Sequence, residues 1–154
     1  MSVDVTLRRA TMADADVLLK WRNDALTRQF SLNPAEVSKQ QHLQWLQRSL
    51  NSATRQLFIA EHGGRPVGTA RVDSDGQQHM ISWTLAPEQR GKGLAKLMVR
   101  NLVLRLSGTI VAQILPGNLA SVKVAEYAGL SYQHTDNGIM YFVKNTIAMA
   151  QLKD

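Results

Sequence analysis

The chain contains no cysteine. Without thiols there is no disulfide scaffold and no thiol nucleophile, and the composition fits a reducing compartment. Long apolar runs are also missing: nothing approaches the ~18 residues of a membrane span. The first residues, Met1 to Val5, lack the basic-then-apolar layout of a signal peptide. These absences give the expectation of a cytoplasmic protein with no membrane partner. Negative charge is in short supply, with 12 Asp and Glu against 18 Lys and Arg and a net charge of +6. Such a surplus attracts anions. The basic residues are nevertheless scattered, with no run longer than Arg8-Arg9, and aromatics make up only 6%. There is no basic arm and no aromatic-basic cluster, so no nucleic-acid partner is expected. The histidines at 42, 62, 79 and 134 lie far apart and show no metal-ligand spacing, so no metal is expected.

What remains is ordinary globular material: 154 residues, 44% hydrophobic and 19% charged. That length suits one domain able to bury a core without staples. A single domain is expected over residues 1–146, with a C-terminal tail over 147–154. The prolines at 34, 66, 87 and 116 all fall between periodic stretches, as punctuation.

Residues 3–9 alternate as a strand, with Val3, Val5 and Leu7 on one face. Thr11 followed by Asp14 reads as a capping box opening a helix that carries Val17, Leu18, Trp21 and Ala25 inward. Residues 30–37 read as a loop. Ser38 with Gln41 opens a second helix bearing Leu43, Leu46 and Leu50. A meander of three strands follows, over 56–61, 66–73 and 78–85, with turns at His62-Gly-Gly-Arg65 and Asp75-Gly76. After Pro87, Gly91-Lys-Gly93 leads into the cleanest helical face in the chain: Ala95, Met98, Val99, Leu102, Val103 and Leu106. Residues 109–115 read as a strand buried on both faces. Asn118 caps another helix that stops at Gly129, and a strand pair closes around Asp136-Asn-Gly138. The order β-α-α-β-β-β-α-β-α-β-β, with one strand-helix-strand crossover, predicts a mixed α/β sheet with helices on both faces.

One stretch carries chemistry: Leu85-Ala-Pro-Glu-Gln-Arg-Gly-Lys-Gly-Leu-Ala95. A strand ends, the chain turns through two glycines, and a helix begins. Backbone N–H groups and the positive end of the helix dipole face outward there, and Arg90 and Lys92 add charge. A pyrophosphate suits such a turn. The loop is neither a Walker A motif nor a dinucleotide fingerprint, since the third glycine position holds Lys96.

The spacing Arg90-x-x-Gly93-x-Ala95 resembles the acyl-CoA pyrophosphate loop of the GNAT (GCN5-related N-acetyltransferase) superfamily. Asn118-Leu-Ala-Ser121 through Gly129 resembles a later motif of that family, and the element order is similar across nearly the whole chain. Leu7-Arg-Arg-Ala-Thr with Trp21-Arg22-Asn23 resembles a branch with a Trp-Arg-Asn motif, whose members acetylate nucleotide-linked aminosugars and whose relatives acetylate protein N-termini.

The resemblance implies a GNAT-like, largely antiparallel sheet whose central parallel strands splay to admit acetyl-CoA, used as co-substrate. It implies pantetheine pairing around Thr84 and Leu85, and a pyrophosphate on Arg90, Gly91, Lys92, Gly93, Leu94 and Ala95. It further implies Asn118 and Ser121 beside the cofactor, and Arg22, Asn23 and Phe30 on the acceptor side. The usual leaving-group tyrosine aligns with Ala125, so Tyr141 is the substitute candidate acid. A strand position that carries a glutamate in several members holds His79, the candidate base. The expected reaction is direct acetyl transfer to a small-molecule amine, with a nucleotide-linked aminosugar as favoured acceptor. The alternatives are a protein N-terminal or antibiotic-type acetyltransferase, or a catalytically silent acyl-CoA-binding module. A homodimer is a candidate assembly.

Overall fold

The computed structural model describes residues 4–146; Val3 and the expected tail 147–154 lie outside the described residues. Strand β1, Thr6–Arg9, buries Leu7 and exposes Thr6, as period-two alternation requires. Thr11 and Asp14 form the capping box, but around a 3-10 turn, Met12–Asp14, that leads into helix α1, Ala15–Arg22. Asp14 is buried and fully engaged: it accepts from the Thr11 N–H at 2.8 Å and from two Arg8 nitrogens at 2.7 and 2.9 Å.

The single first helix expected to run through Ala25 is in fact two. Asn23 ends α1, and Asp24 adopts φ −57°, ψ 136°, outside the helical region. Its carboxylate then caps a five-residue helix α2, Ala25–Gln29, by accepting from the Thr27 N–H at 3.1 Å. A short polar side chain that competes for backbone N–H groups favours this break. Ala25 is consequently exposed rather than inward. Helix α3, Lys39–Leu50, opens on the Ser38–Gln41 capping box as expected.

The meander is β2 (Arg55–His62), β3 (Arg65–Ser74) and β4 (Gln78–Leu85). Helix α4, Leu94–Val103, buries Leu94, Met98, Val99, Leu102 and Val103 on one stripe. Each such side chain contributes about 1.5–3 kcal/mol on burial. Strand β5 (Gly108–Ile114), helix α5 (Leu119–Tyr127), and strands β6 (Ser131–Asp136) and β7 (Ile139–Thr146) complete the described chain.

The sheet order is β1-β2-β3-β4-β5-β7-β6, antiparallel except for β4 against β5. Along β2, Leu57 and Ile59 face Leu18, Trp21 and Leu46 of α1 and α3, while Phe58 and Ala60 face the α4 side. Helices therefore cover both faces: α1 and α3 on one, α4 and α5 on the other.

Candidate active site

The parallel pairing of β4 and β5 stops early. It runs from Gln78↔Thr109 to Ile81↔Ala112; residues 82–85 of β4 remain paired with β3 only. Beyond Ile81 the two strands part and leave a gap. The Ala86 N–H bonds Val67 O of β3 at 2.8 Å. Period two then turns the backbone groups of Thr84 toward β3, and those of Trp83 and Leu85 toward the gap. The backbone expected to pair from Thr84 thus shifts by one residue. Trp83, missed in the sequence, joins Leu85, while Thr84 contributes only its side chain.

The gap opens into a cleft of about 1230 Å³ lined by the sheet, helices α1–α3 and the first turns of α4 and α5. At its mouth lies the glycine turn. Gly91 and Gly93 have φ 81° and 75°, a region closed to most side chains, and a Cβ on either would meet nothing within 4 Å. Gly93 occupies the N-cap of α4 with no side chain to cap it. Among the described residues no protein acceptor takes the N–H groups of Gly91, Lys92 or Gly93. Several unpartnered donors at a helix N-terminus, approachable over glycine backbone, fit the pyrophosphate of acetyl-CoA.

Of the expected site residues, Thr84, Leu85, Arg90, Gly91, Gly93, Leu94, Ala95, Asn118, Ser121, Arg22 and Phe30 all line this cleft. Asn118 uses Oδ1 to cap α5, accepting from the Ser121 N–H at 3.3 Å. Lys92 does not line the cleft; its ammonium bonds Gln89 Oε1 at 3.3 Å, and Lys96 lines the wall instead. Asn23 does not line it either. Its side-chain amide donates to Val37 O and accepts from Val37 N–H, both at 2.8 Å. Arg22 Nη2 donates to Asn33 O at 2.6 Å. Its Nη1 is buried with no partner, and burial lowers its pKa from the ordinary arginine value.

The candidate base and acid require correction. His79 stands at the closed end of the β4–β5 pair, outside the cleft lining. Its Nε2 lies 2.9 Å from Ser107 O, which can only accept, so Nε2 carries the proton; Nδ1 lies 2.6 Å from Ser74 Oγ. Neither nitrogen is free to take a proton from a molecule in the cleft. Tyr141 is absent from the lining as well. Its ring stacks on His134 at 4.7 Å, and its hydroxyl accepts from Gln113 Nε2 at 3.0 Å. Gln113 does line the cleft, so Tyr141 touches it at one remove. Ala125 is fully buried on the inner face of α5.

The electrostatics were not legible from motifs. Among the described residues no Asp or Glu lines the cleft, whereas Arg22, Arg48, Arg71, Arg90, Lys96 and Lys123 do. Arg71, on β3, is held 3.1 Å from Asp73, and burial pushes its pKa down from the ordinary arginine value. The one imidazole in the lining, His42, is buried; its Nε2–H donates to Ala15 O at 3.0 Å and burial lowers its pKa.

A family model described as an acetyltransferase (GNAT) domain matches residues 4–131. No curated protein matches the chain. Solved structures do. Aminoglycoside acetyltransferase AAC(6')-Ib with coenzyme A and kanamycin superposes at TM-score 0.81 and 25% identity, covering 98% of this chain and 100% of that one. Spermidine N-acetyltransferase from Vibrio cholerae with CoA and spermine reaches 0.79 at 16% identity, over 91% and 94%. An acetyltransferase named as putative from Salmonella typhimurium, with acetyl-CoA, reaches 0.76 at 20%, over 94% and 95%.

Proposed function

Given that the chain belongs to the GNAT acetyltransferase family, and so is an acetyl-CoA-dependent enzyme, we propose that its acceptor is an anionic small-molecule amine, a nucleotide-linked aminosugar being the favoured class. The observation that carries this reading is the wall beside α1–α3 and β3: it presents Arg22, Arg48 and Arg71 and, among the described residues, no carboxylate. Kanamycin and spermine, the amines in the two related complexes, are polycations. In a cleft of this sign a like charge about 8 Å away costs roughly 2 kcal/mol at an effective dielectric of ~20. A diphosphate linking sugar to nucleoside reverses that sign.

In this reading acetyl-CoA is the acetyl donor. The backbone N–H groups of residues 90–95 hold its pyrophosphate, Asn118 and Ser121 lie beside it, and the Trp83 and Leu85 backbone pairs with the pantetheine. The Leu85 N–H is the candidate donor for the charge that grows on the thioester oxygen. The acceptor amine reaches the cleft as an ammonium with an ordinary pKa near ~10. Among the described residues no carboxylate and no free imidazole is on the wall to take its proton. The surrounding cations instead lower the ammonium's own pKa, and water accepts the proton.

The test is release of free thiol from acetyl-CoA across an amine panel: nucleotide-linked aminosugars, kanamycin, spermine and peptides with free N-termini. Turnover highest with the diphosphate-bearing amines supports the reading. Turnover led by the polycations or the peptides overturns it, and CoA binding with no thiol release from any amine would leave only a silent binding module.

A further inference from the structure

Arg90, the first residue of the glycine turn, reaches across the cleft mouth. Its Nη2 donates to Asp24 Oδ2 at 2.6 Å and to Thr27 Oγ1 at 3.3 Å. The same Asp24 oxygen accepts from the Thr27 N–H and so caps α2. One cluster thus joins the cofactor turn to the first turn of a helix distant in sequence.

Helix α2 needs such an anchor. Five residues are too few to hold helical structure by themselves, and α2 has no buried residue to dock it. Its other attachment is polar too: Arg28 Nε donates to Pro34 O at 3.0 Å, which ties the helix to the loop that follows rather than to the sheet. Yet α2 and its C-cap supply Leu26, Thr27 and Phe30 to the cleft wall.

We propose that Arg90 is a positioning residue for the acceptor side: through Asp24 and Thr27 it struts α2 from the cofactor turn, so that filling the turn with acetyl-CoA or CoA orders residues 25–37. The proposal rests on the acetyltransferase reading of the cleft. Its physical basis is simple. A pyrophosphate bound to the backbone of residues 90–95 immobilises the base of the Arg90 side chain, and less entropy is then lost in holding the guanidinium on Asp24.

The test is amide hydrogen exchange on the full chain with and without saturating CoA, beside calorimetric CoA affinity. In the wild type, CoA should raise protection across residues 25–37 by about two- to fivefold, the range expected of an exposed ion pair. Asp24→Asn keeps an N-cap side chain but loses the charge; Arg90→Gln loses the donor cation. Both should lose the gain, Asp24→Asn with CoA affinity unchanged within about twofold, and Arg90→Lys, whose single ammonium can replace Nη2, should retain it. Persistence of the gain in both Asp24→Asn and Arg90→Gln overturns the strut. So does a tenfold loss of CoA affinity in Asp24→Asn, which would tie Asp24 to cofactor binding itself rather than to the acceptor side. Failure of the wild type to bind CoA is a separate result and overturns the acetyltransferase reading itself.

Discussion

Asn23 and Val37 exchange two hydrogen bonds of 2.8 Å, side-chain amide to backbone in both directions. With Arg22 on Asn33 O, they clamp the loop that follows α2, while Trp21 sits in the core between α1 and α3. The Trp-Arg-Asn triplet therefore works first as a device for shaping a wall. Asn23→Ala should cost about 2 kcal/mol of loop order, at roughly 1 kcal/mol per bond, or about thirtyfold in the ordered population. The expected kinetic result is a raised acceptor KM with acetyl-CoA KM unchanged. An equal rise in both constants would contradict the wall assignment.

Gly93 lines the cleft in the left-handed region, with open space where a Cβ would stand. Gly93→Val should fold, at a strain cost of about 1–2 kcal/mol, and place its side chain where the pyrophosphate approaches. CoA affinity should fall at least about tenfold by calorimetry. Unchanged affinity in a folded variant would remove the pyrophosphate from this turn.

His79 has both ring nitrogens engaged at the closed end of the strand pair. Loss of a true general base costs ~10²–10⁴-fold in rate. His79→Ala should instead retain kcat within about twofold, with an unaltered pH–rate profile, and lose only stability. A hundredfold drop in kcat in the folded variant would restore the catalytic role.

Arg71 pairs with Ser82 in the β3–β4 register and faces the cleft. Arg71→Gln should raise KM for a diphosphate-bearing amine about tenfold and leave KM for acetyl-CoA alone. Kanamycin and spermine should become better acceptors, not worse. Steady-state kinetics on both acceptor classes decide it.

Two buried groups contribute to the acid side of the stability curve. Burial holds the His42 pKa below its ordinary 6.5, so the unfolded chain binds its proton first. Stability is full above pH 6.5 and falls with pH until the depressed folded value is passed. His42→Gln should flatten that window in urea titrations. Arg8 hydrogen-bonds the Asp14 carboxylate and lowers its pKa from 3.8. That stabilisation is present above 3.8 and lost as pH drops through the folded value, and Asp14→Asn should remove it. Slopes unchanged in both variants would assign the acid sensitivity elsewhere.

Whatever depended on near neighbours in the chain could be read from the residues. Both capping boxes, at Thr11–Asp14 and Ser38–Gln41, close over three residues. The glycine turn, the apolar stripe of α4 and the Asn118 cap are likewise local, because backbone sterics and side-chain period act within one or two turns. The break at Asp24 was local too, and was missed because the stronger apolar period ran through it.

The tertiary structure alone decided the rest. Where β4 and β5 part sets which backbone groups are left open, and a one-residue shift exchanges Thr84 for Trp83. Only the assembled cleft showed that cations from α1, α3, β3, α4, α5 and the glycine turn line it together, with no carboxylate among the described residues. Only the closing of the sheet put His79 against Ser107 and Arg90 against Asp24. Charge and hydrogen bonding across the cleft are set by distances in space, and residues far apart in sequence acquire those distances only once the sheet and its helices have assembled.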